Sequence, residues 1–314
     1  MAHHLPKFTC QTLLLLSTAA IAQNNTVLIT SPASQQVSGF ENLSLREAPF
    51  SANNIDSATL RDIGAQRISD ALRLDSSVTD SYNSPAYWDI LSVRGFTLDN
   101  RYNYRREGLP INAETMIPMD NKERIELFKG TSGIQAGTSA PGGLANYVVK
   151  RPPNSLEASV RSLTFSYGNG NNSAAALDLG GRYGENNAVG YRVNVAYEDL
   201  NPYIQNAKGH RQLVALAMDW RINGNTRLEW EIESSSRQQM GINAVSLTGN
   251  TLPSPAFAKN NFTRQPWSVP EVFEGLTGTL RLKQRLENGW LWTTQYGSQR
   301  LKTDDRLTFG YGCY

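Results

Sequence analysis

Beyond Pro152-Pro153 the chain alternates apolar and polar residues over runs of about ten. In Val189 to Glu198, the residues Val189, Tyr191, Val193, Val195 and Tyr197 share one face, and Gly190, Arg192, Asn194, Ala196 and Glu198 share the other. Leu228, Trp230 and Ile232 alternate with Arg227, Glu229, Glu231 and Glu233. Val214, Leu216, Met218, Trp220 and Ile222 make a third apolar face, and Leu276, Leu280, Leu282 and Leu286 a fourth. Successive side chains of a strand point to opposite faces, so this period of two predicts strands with one apolar and one polar side. Less regular strands are expected near 157–167, 173–183 and 290–302, which makes about seven.

The connections between these strands are unequal. Gly184 to Asn187, Asn223-Gly224-Asn225 and Glu287-Asn288-Gly289 are tight turns, whereas Leu200 to Gly209 and Gln238 to Glu274 are long and polar. Gly168 to Asn172 is short and breaks the trend. Alternating short and long ends suit an outer-membrane barrel with short periplasmic turns and longer extracellular loops. Trp220, Trp290, Trp292, Tyr183 and Tyr191 fall near strand ends, where interfacial aromatic girdles form. A soluble β-sandwich also alternates, but the strand length, the girdle and the export signal at the N-terminus favour the barrel.

Before Pro152-Pro153 the pattern is compact and mixed. Helices are expected over Ser57 to Ile63 and Arg67 to Leu74, where Ile68, Ala71 and Leu72 share one face. Short strands are expected at Ile90–Arg94, Tyr102–Arg106, Ile125–Phe128 and Ala145–Val149, separated by Arg94-Gly95, Glu107-Gly108, Lys129-Gly130 and Pro141-Gly142-Gly143. The fold class expected is an α+β domain followed by antiparallel barrel strands.

Composition narrows the function. Of the 314 residues 18% are charged, and the formal net charge is +2, which argues against a general nucleic-acid binder. At the N-terminus, Lys7 precedes an apolar run from Thr12 to Ala22, and Ala20-Ile21-Ala22 supplies the small-x-small pattern of a signal-peptide cleavage site, with Gln23 as mature start. Cleavage there would leave His210 and Cys313 as the last His and Cys, so zinc clusters, thiol pairs and a Ser-His-Asp triad become implausible. Gly130 to Gly143 lacks the Gly-Lys-Ser/Thr ending of a phosphate loop, and Asp304-Asp305 sits at a strand end without an acid/base partner. No catalytic constellation, metal site or resident cofactor is expected.

Several motifs then stand in a specific order. Arg94-Gly95-Phe96, Glu107-Gly108-Leu109-Pro110, Glu123 to Gly130, Ala140-Pro141-Gly142-Gly143 and Asn146 to Pro152 resemble the plug domain of TonB-dependent siderophore receptors. Glu107 stands where that family usually has Asp, and Thr131 where Pro is common. Thr26-Val27-Leu28-Ile29-Thr30 resembles the TonB box, the strand gripped by the energy-coupling protein. The resemblance implies a signal peptide at 1–22, TonB box and linker at 23–50, plug at 51–152 and the N-terminal part of the barrel at 153–314. It implies a Gram-negative outer-membrane transporter of ferric siderophore, with TonB, the chelate and outer-membrane lipid as partners and no nucleic acid. Cobalamin or haem is the alternative ligand; a sole mature histidine, His210, weakens haem. An exported β-rich binding protein without transport is the other alternative.

The same resemblance assigns Arg94, Glu107, Arg124 and Glu126 to a lock between plug and barrel wall. Tyr82, Tyr87, Trp88, Tyr104 and Gln135 are expected to touch the chelate, because aromatic walls with a few polar donors suit a bulky chelate. About seven strands fall short of the roughly 22 of a plugged transporter, so the chain is expected to be a fragment or truncated product. Cys313 resembles half of a loop disulfide whose partner the chain does not encode.

Overall fold

A computed structural model describes residues 36–37, 40–44, 51–82, 86–130, 141–168, 172–242, 254, 259–261 and 265–306. The expected signal peptide, Thr26 to Thr30, Gln135 and Cys313 lie outside the described residues. A short antiparallel pair, β1 (Gln36–Val37) and β2 (Phe40–Ser44), comes first.

The segment that follows contains β3 (Ser51–Asp56), α1 (Ser57–Asp62), α2 (Ile68–Leu72), β4 (Val78–Asp80), β5 (Leu91–Val93), β6 (Phe96–Thr97), β7 (Tyr104–Arg106), β8 (Leu109–Pro110), β9 (Lys122–Lys129) and β10 (Gly143–Val149). Five of these strands form one mixed sheet in the order β3-β9-β10-β7-β8, in which only β10 and β7 run parallel. A second small sheet is β4-β5-β6. Strand β10 is buried along its whole length, flanked by β9 and β7. Its one polar residue, Asn146, accepts from Gly108 N at 3.0 Å and donates to Glu126 at 2.8 Å, so burying the amide leaves no orphan group there. Ile55, Leu60, Leu72, Leu91, Ile125, Leu127 and Tyr147 form the core. The Asp56 carboxylate accepts from Thr59 N at 2.8 Å and starts α1.

The motifs Arg94-Gly95 and Glu107-Gly108 are two-residue hairpin loops. Val93 pairs with Phe96 and Arg106 with Leu109 across them. All four loop residues have positive φ (52° and 85°, 53° and 84°), as the hairpin turn that matches strand twist requires.

From Val160 onward, the described residues form a seven-stranded antiparallel sheet in chain order: β11 (Val160–Tyr167), β12 (Ser173–Tyr183), β13 (Val189–Leu200), β14 (Gly209–Arg221), β15 (Thr226–Gln239), β16 (Glu271–Arg285) and β17 (Leu291–Asp304). The burial of its two faces is the reverse of a soluble sandwich. Val214, Trp220, Ile232, Leu276, Leu280 and Tyr296 are exposed, while Glu229, Glu231, Glu233, Asp219 and Arg237 are buried. The apolar face is therefore turned outward, as a lipid-facing wall demands, and the charged face is turned onto the first domain. Tyr183, Tyr191, Trp220, Trp290 and Trp292 are exposed around the three tight turns, where a girdle is expected. Among the described residues no helix is long and apolar enough to cross a membrane.

Candidate functional site

The interface between the mixed domain and the wall is built from paired charges. Arg106, at the end of β7, donates Nε and Nη2 to Glu231 at 3.0 and 2.7 Å and Nη1 to Glu233 at 2.8 Å. Lys122, at the start of β9, reaches Glu233 at 2.8 Å, and Asn121 donates to the same oxygen at 2.7 Å. Thr279 donates to Glu231 at 3.1 Å. Two cations from one domain thus meet two carboxylates from one strand, with their charges balanced and the side chains almost wholly excluded from solvent. Burial pushes the Lys122 ammonium down to about 8 against the pull of Glu233.

Glu107 makes the second bridge. Its hairpin projects the carboxylate to Arg281 at 2.5 Å and to Arg151 at 3.0 Å, and its backbone carbonyl accepts from Gln295 at 3.1 Å. It also accepts from Val149 N at 2.6 Å. Burial alone would raise this carboxyl, but Arg151, Arg281 and the Val149 N–H outweigh it and hold it at about 2. Further along the wall, Arg211 joins Asp120 at 2.5 Å to Glu198 at 2.6 Å, and Asn112 and Gln299 exchange two hydrogen bonds at 2.9 and 3.1 Å. Near the tight turns, Arg182 pairs with Asp219 at 2.5 Å and donates to Pro153 O at 2.9 Å, which fixes the connection between the two domains.

At the end that carries the long connections, Tyr87 and Trp88 meet the wall residue Phe273, and Tyr82 lies against Tyr87. The rings of Tyr87 and Trp88 lie 3.9 Å apart, Tyr82 and Tyr87 5.4 Å, and Phe273 stands edge-on to Tyr87 and Trp88 at 5.6 and 5.8 Å. The Tyr87 hydroxyl donates to Asp305 of the wall. Burial, followed by that carboxylate, raises the phenol well above its ordinary value. Tyr82 and Asp305 are exposed, so the ledge has an open side.

The sequence-assigned residues separate accordingly. Tyr82, Tyr87 and Trp88 come together, but Tyr104 is instead a core residue, 1% exposed. Glu107 bridges to the wall. Arg94 is exposed, and among the described residues the structure gives its side chain no ion pair with the wall; its backbone N–H bonds Ser77 O at 2.8 Å. Arg124 and Glu126 pair with each other at 2.7 Å within the mixed sheet. Arg106, Lys122, Glu231, Glu233 and Arg281 were missed as partners. The alternation marked the three wall residues as polar-face positions, but nothing local says that a charge 125 residues away in sequence neutralises them.

An α+β domain held by ion pairs against the polar face of an outward-apolar antiparallel wall defines a plugged outer-membrane barrel protein. Comparison with known proteins agrees. A family model described as TonB-dependent Receptor Plug Domain matches residues 44–144. The chain is 25% identical over 257 residues to the Ferrichrome receptor FcuA of Yersinia enterocolitica, covering 81% of this chain and 33% of that receptor. It is 30% identical over 161 residues to the Metal-pseudopaline receptor CntO of Pseudomonas aeruginosa, covering 51% of this chain and 22% of that receptor. Among solved structures, the ferric preacinetobactin receptor BauA from Acinetobacter baumannii superposes with a TM-score of 0.73 at 18% identity, covering 83% of this chain and 39% of that one. The closed form of the Ferric-Catecholate import receptor Fiu from E. coli K12 gives 0.72 at 21%, covering 83% and 38%. The chain carries a TonB-dependent receptor plug domain and is homologous to known TonB-dependent siderophore and metal receptors of the Gram-negative outer membrane. It spans about a third of the length of the first curated relatives it matches.

Proposed function

We propose that this chain belongs to a TonB-energised importer of ferric siderophores. The observation that carries this reading is the neutral, buried plug-wall lock of Arg106 and Lys122 with Glu231 and Glu233, because a lumen sealed by ion pairs needs external work to open. Receptors of this family are transporters rather than catalysts, and relatives are described as receptors for ferrichrome, ferrioxamine B and ferripyoverdine. The chelate would meet Tyr82, Tyr87 and Trp88 on the ledge beside Phe273, whose rings offer flat apolar area with polar tips. Thr26 to Thr30 would pair with a TonB strand by backbone hydrogen bonds, which converts a periplasmic pull into rearrangement of the plug. A second reading, import of a metal chelate other than ferric iron, is favoured by the similarity to the metal-pseudopaline receptor.

The test is iron-55 uptake in cells lacking other receptors, using the gene that encodes this chain, with ferrichrome and ferrioxamine B as probes. Energised uptake should be lost in Leu28→Pro while surface binding persists, since proline removes an N–H from the strand TonB must pair with. Uptake that survives without proton-motive force would overturn the reading.

A further inference from the structure

Tyr104 opens β7, the strand that ends on the lock residue Arg106 and leads into Glu107. Its ring belongs to the plug core. Its hydroxyl is buried with the ring, and among the described residues nothing accepts the hydroxyl proton. Burial, followed by the nearby Asp89 carboxylate, pushes the phenol well above its ordinary value, so that proton stays on the oxygen at neutral pH. Native proteins rarely leave such a group alone: buried polar atoms are satisfied by protein or by ordered water.

Tyr104 borders a cavity of about 20 Å³ between plug and wall. The plug also contributes Asp89 and Thr115 to its lining, and wall strand β15 contributes Ser235 and Arg237. A single water needs at least about 10–15 Å³ of such space, together with two to four polar partners. The space therefore holds one water and no larger ligand. An acceptor and a second hydroxyl are at hand. The Asp89 carboxylate takes Ser69 Oγ at 2.8 Å and Ser69 N at 3.4 Å, and meets Arg67 at 3.1 Å. A carboxylate offers about four acceptor sites, which leaves one for a donor from the cavity. Ser235 stands on the wall side, two residues beyond Glu233 of the lock. A small anion is the weaker fit. Asp89 would repel it, Arg67 is held by Asp80 and Asp89, Arg211 is held by Asp120 and Glu198, and Arg237 donates twice to Gln239.

We propose that this cavity is a binding site for one ordered water, which accepts from the Tyr104 hydroxyl, donates to Asp89 and bonds the Ser235 hydroxyl. The water joins β7 of the plug to β15 of the wall, the same two strands that the Arg106 lock joins through Glu231 and Glu233. It adds an uncharged contact beside the charged one, and it gives the core tyrosine a partner that no side chain of the plug supplies. The site stands on geometry alone and does not depend on what the receptor imports.

Two measurements on the receptor that carries this chain decide it. A high-resolution crystal structure should show one water about 2.7–2.8 Å from Tyr104 Oη, within hydrogen-bond reach of Asp89 and Ser235. Crystals soaked in sodium bromide should give no anomalous peak at that position. The second measurement turns on a sign. Tyr104→Phe keeps the ring and removes only the hydroxyl. Removing an orphaned hydroxyl would relieve an uncompensated buried group and raise the resistance of the plug to urea. Removing one bonded to water should instead lower the urea midpoint of plug protease resistance, by about 0.5 M. Ser235→Ala should lower the same midpoint, and by less in the Tyr104→Phe background than alone, because both changes act on one water. A dry cavity, a bromide peak in it, or a midpoint that holds or rises in Tyr104→Phe would overturn the water site.

Discussion

The carboxylate of Glu107 and the guanidinium of Arg281 meet at 2.5 Å, one carried by a plug hairpin and the other by wall strand β16. The contact depends on a backbone feature. Glu107 holds a positive φ of 53°, an unusual conformation for a residue with a long side chain, in a two-residue turn completed by Gly108. Asp, the shorter residue common at this place in the family it resembles, would have a carboxylate one methylene closer to the backbone.

Glu107→Gln should loosen the plug without unfolding the wall. The change leaves Arg281 with Glu229 at 3.2 Å and leaves Arg151 without its 3.0 Å carboxylate contact. Removing one partner of a buried pair costs about 3–5 kcal/mol. Limited proteolysis should cut the plug of Glu107→Gln at lower protease concentration than the unaltered protein, with wall fragments equally resistant. Equal resistance of the two plugs would argue against a docking role.

The same bridge sets an acid limit. The folded carboxyl of Glu107 is held at about 2, below its ordinary 4.5. A group whose folded value is depressed contributes stability that is complete above the ordinary value and is lost as the pH falls toward the folded one. The contribution of this bridge to plug docking should therefore be constant above about 4.5 and weaken between there and about 2, by about 3 kcal/mol at about 1.4 kcal/mol per unit. Protease sensitivity measured across that window checks it, and in Glu107→Gln the acid dependence should be reduced.

Much of the wall was legible because its alternation is enforced by lipid on one side and charge on the other. Val189 to Tyr197 and Leu228 to Ile232 announce their strands; β13 runs on from the first to Leu200, and β15 extends the second from Thr226 to Gln239. β3 escaped notice because Ser-Ala-Asn-Asn-Ile-Asp has almost no apolar face; pairing with β9, and Asn53 donating to Asp75 at 3.0 Å, hold it in place. Tyr104 read as a binding residue because aromatic character alone does not tell a core ring from a surface ring. Its burial follows from the parallel pairing of β7 with β10, a contact between segments some 40 residues apart. The lock partners were unreadable for the same reason, since their complementarity exists only after the plug is seated.

Two glycines should respond very differently to alanine. At Gly143, φ is 148° and an added Cβ would stand 2.0 Å from Phe128 O, inside the β9–β10 ladder. Backbone on the partner strand cannot give way, so Gly143→Ala should abolish plug folding. At Gly108, φ is 84° but the space is open. The cost there is conformational, about 1–2 kcal/mol, and the plug should fold. Yields of protease-resistant plug from the two variants check this, and comparable yields would contradict the close approach.

The lock itself predicts a rescue. Arg106 and Lys122 balance Glu231 and Glu233, and Glu233 is the member shared by both cations and by Asn121. Glu233→Gln should therefore be the most damaging single change at this site. It leaves three charges, +1 in sum, in a space closed to solvent, and a buried unpaired charge costs several kcal/mol. Arg106 keeps its two bonds to Glu231, so the surplus falls on Lys122, whose ammonium is already pushed down to about 8 by burial. Removing that surplus should repair the defect. Lys122→Met in the Glu233→Gln background restores one cation against one anion and keeps most of the lysine's apolar volume. The double variant should thus recover plug protection that Glu233→Gln alone loses, although two ion-pair members are gone instead of one. Replacing Arg106 by Met in the same background should recover less, because it takes both guanidinium bonds from Glu231, which keeps the 3.1 Å bond from Thr279, and leaves Lys122 beside a neutral amide. Urea titration of plug protease resistance across the three variants reads the order directly. If Lys122→Met deepens the defect of Glu233→Gln, the pair acts through packing and not through charge balance.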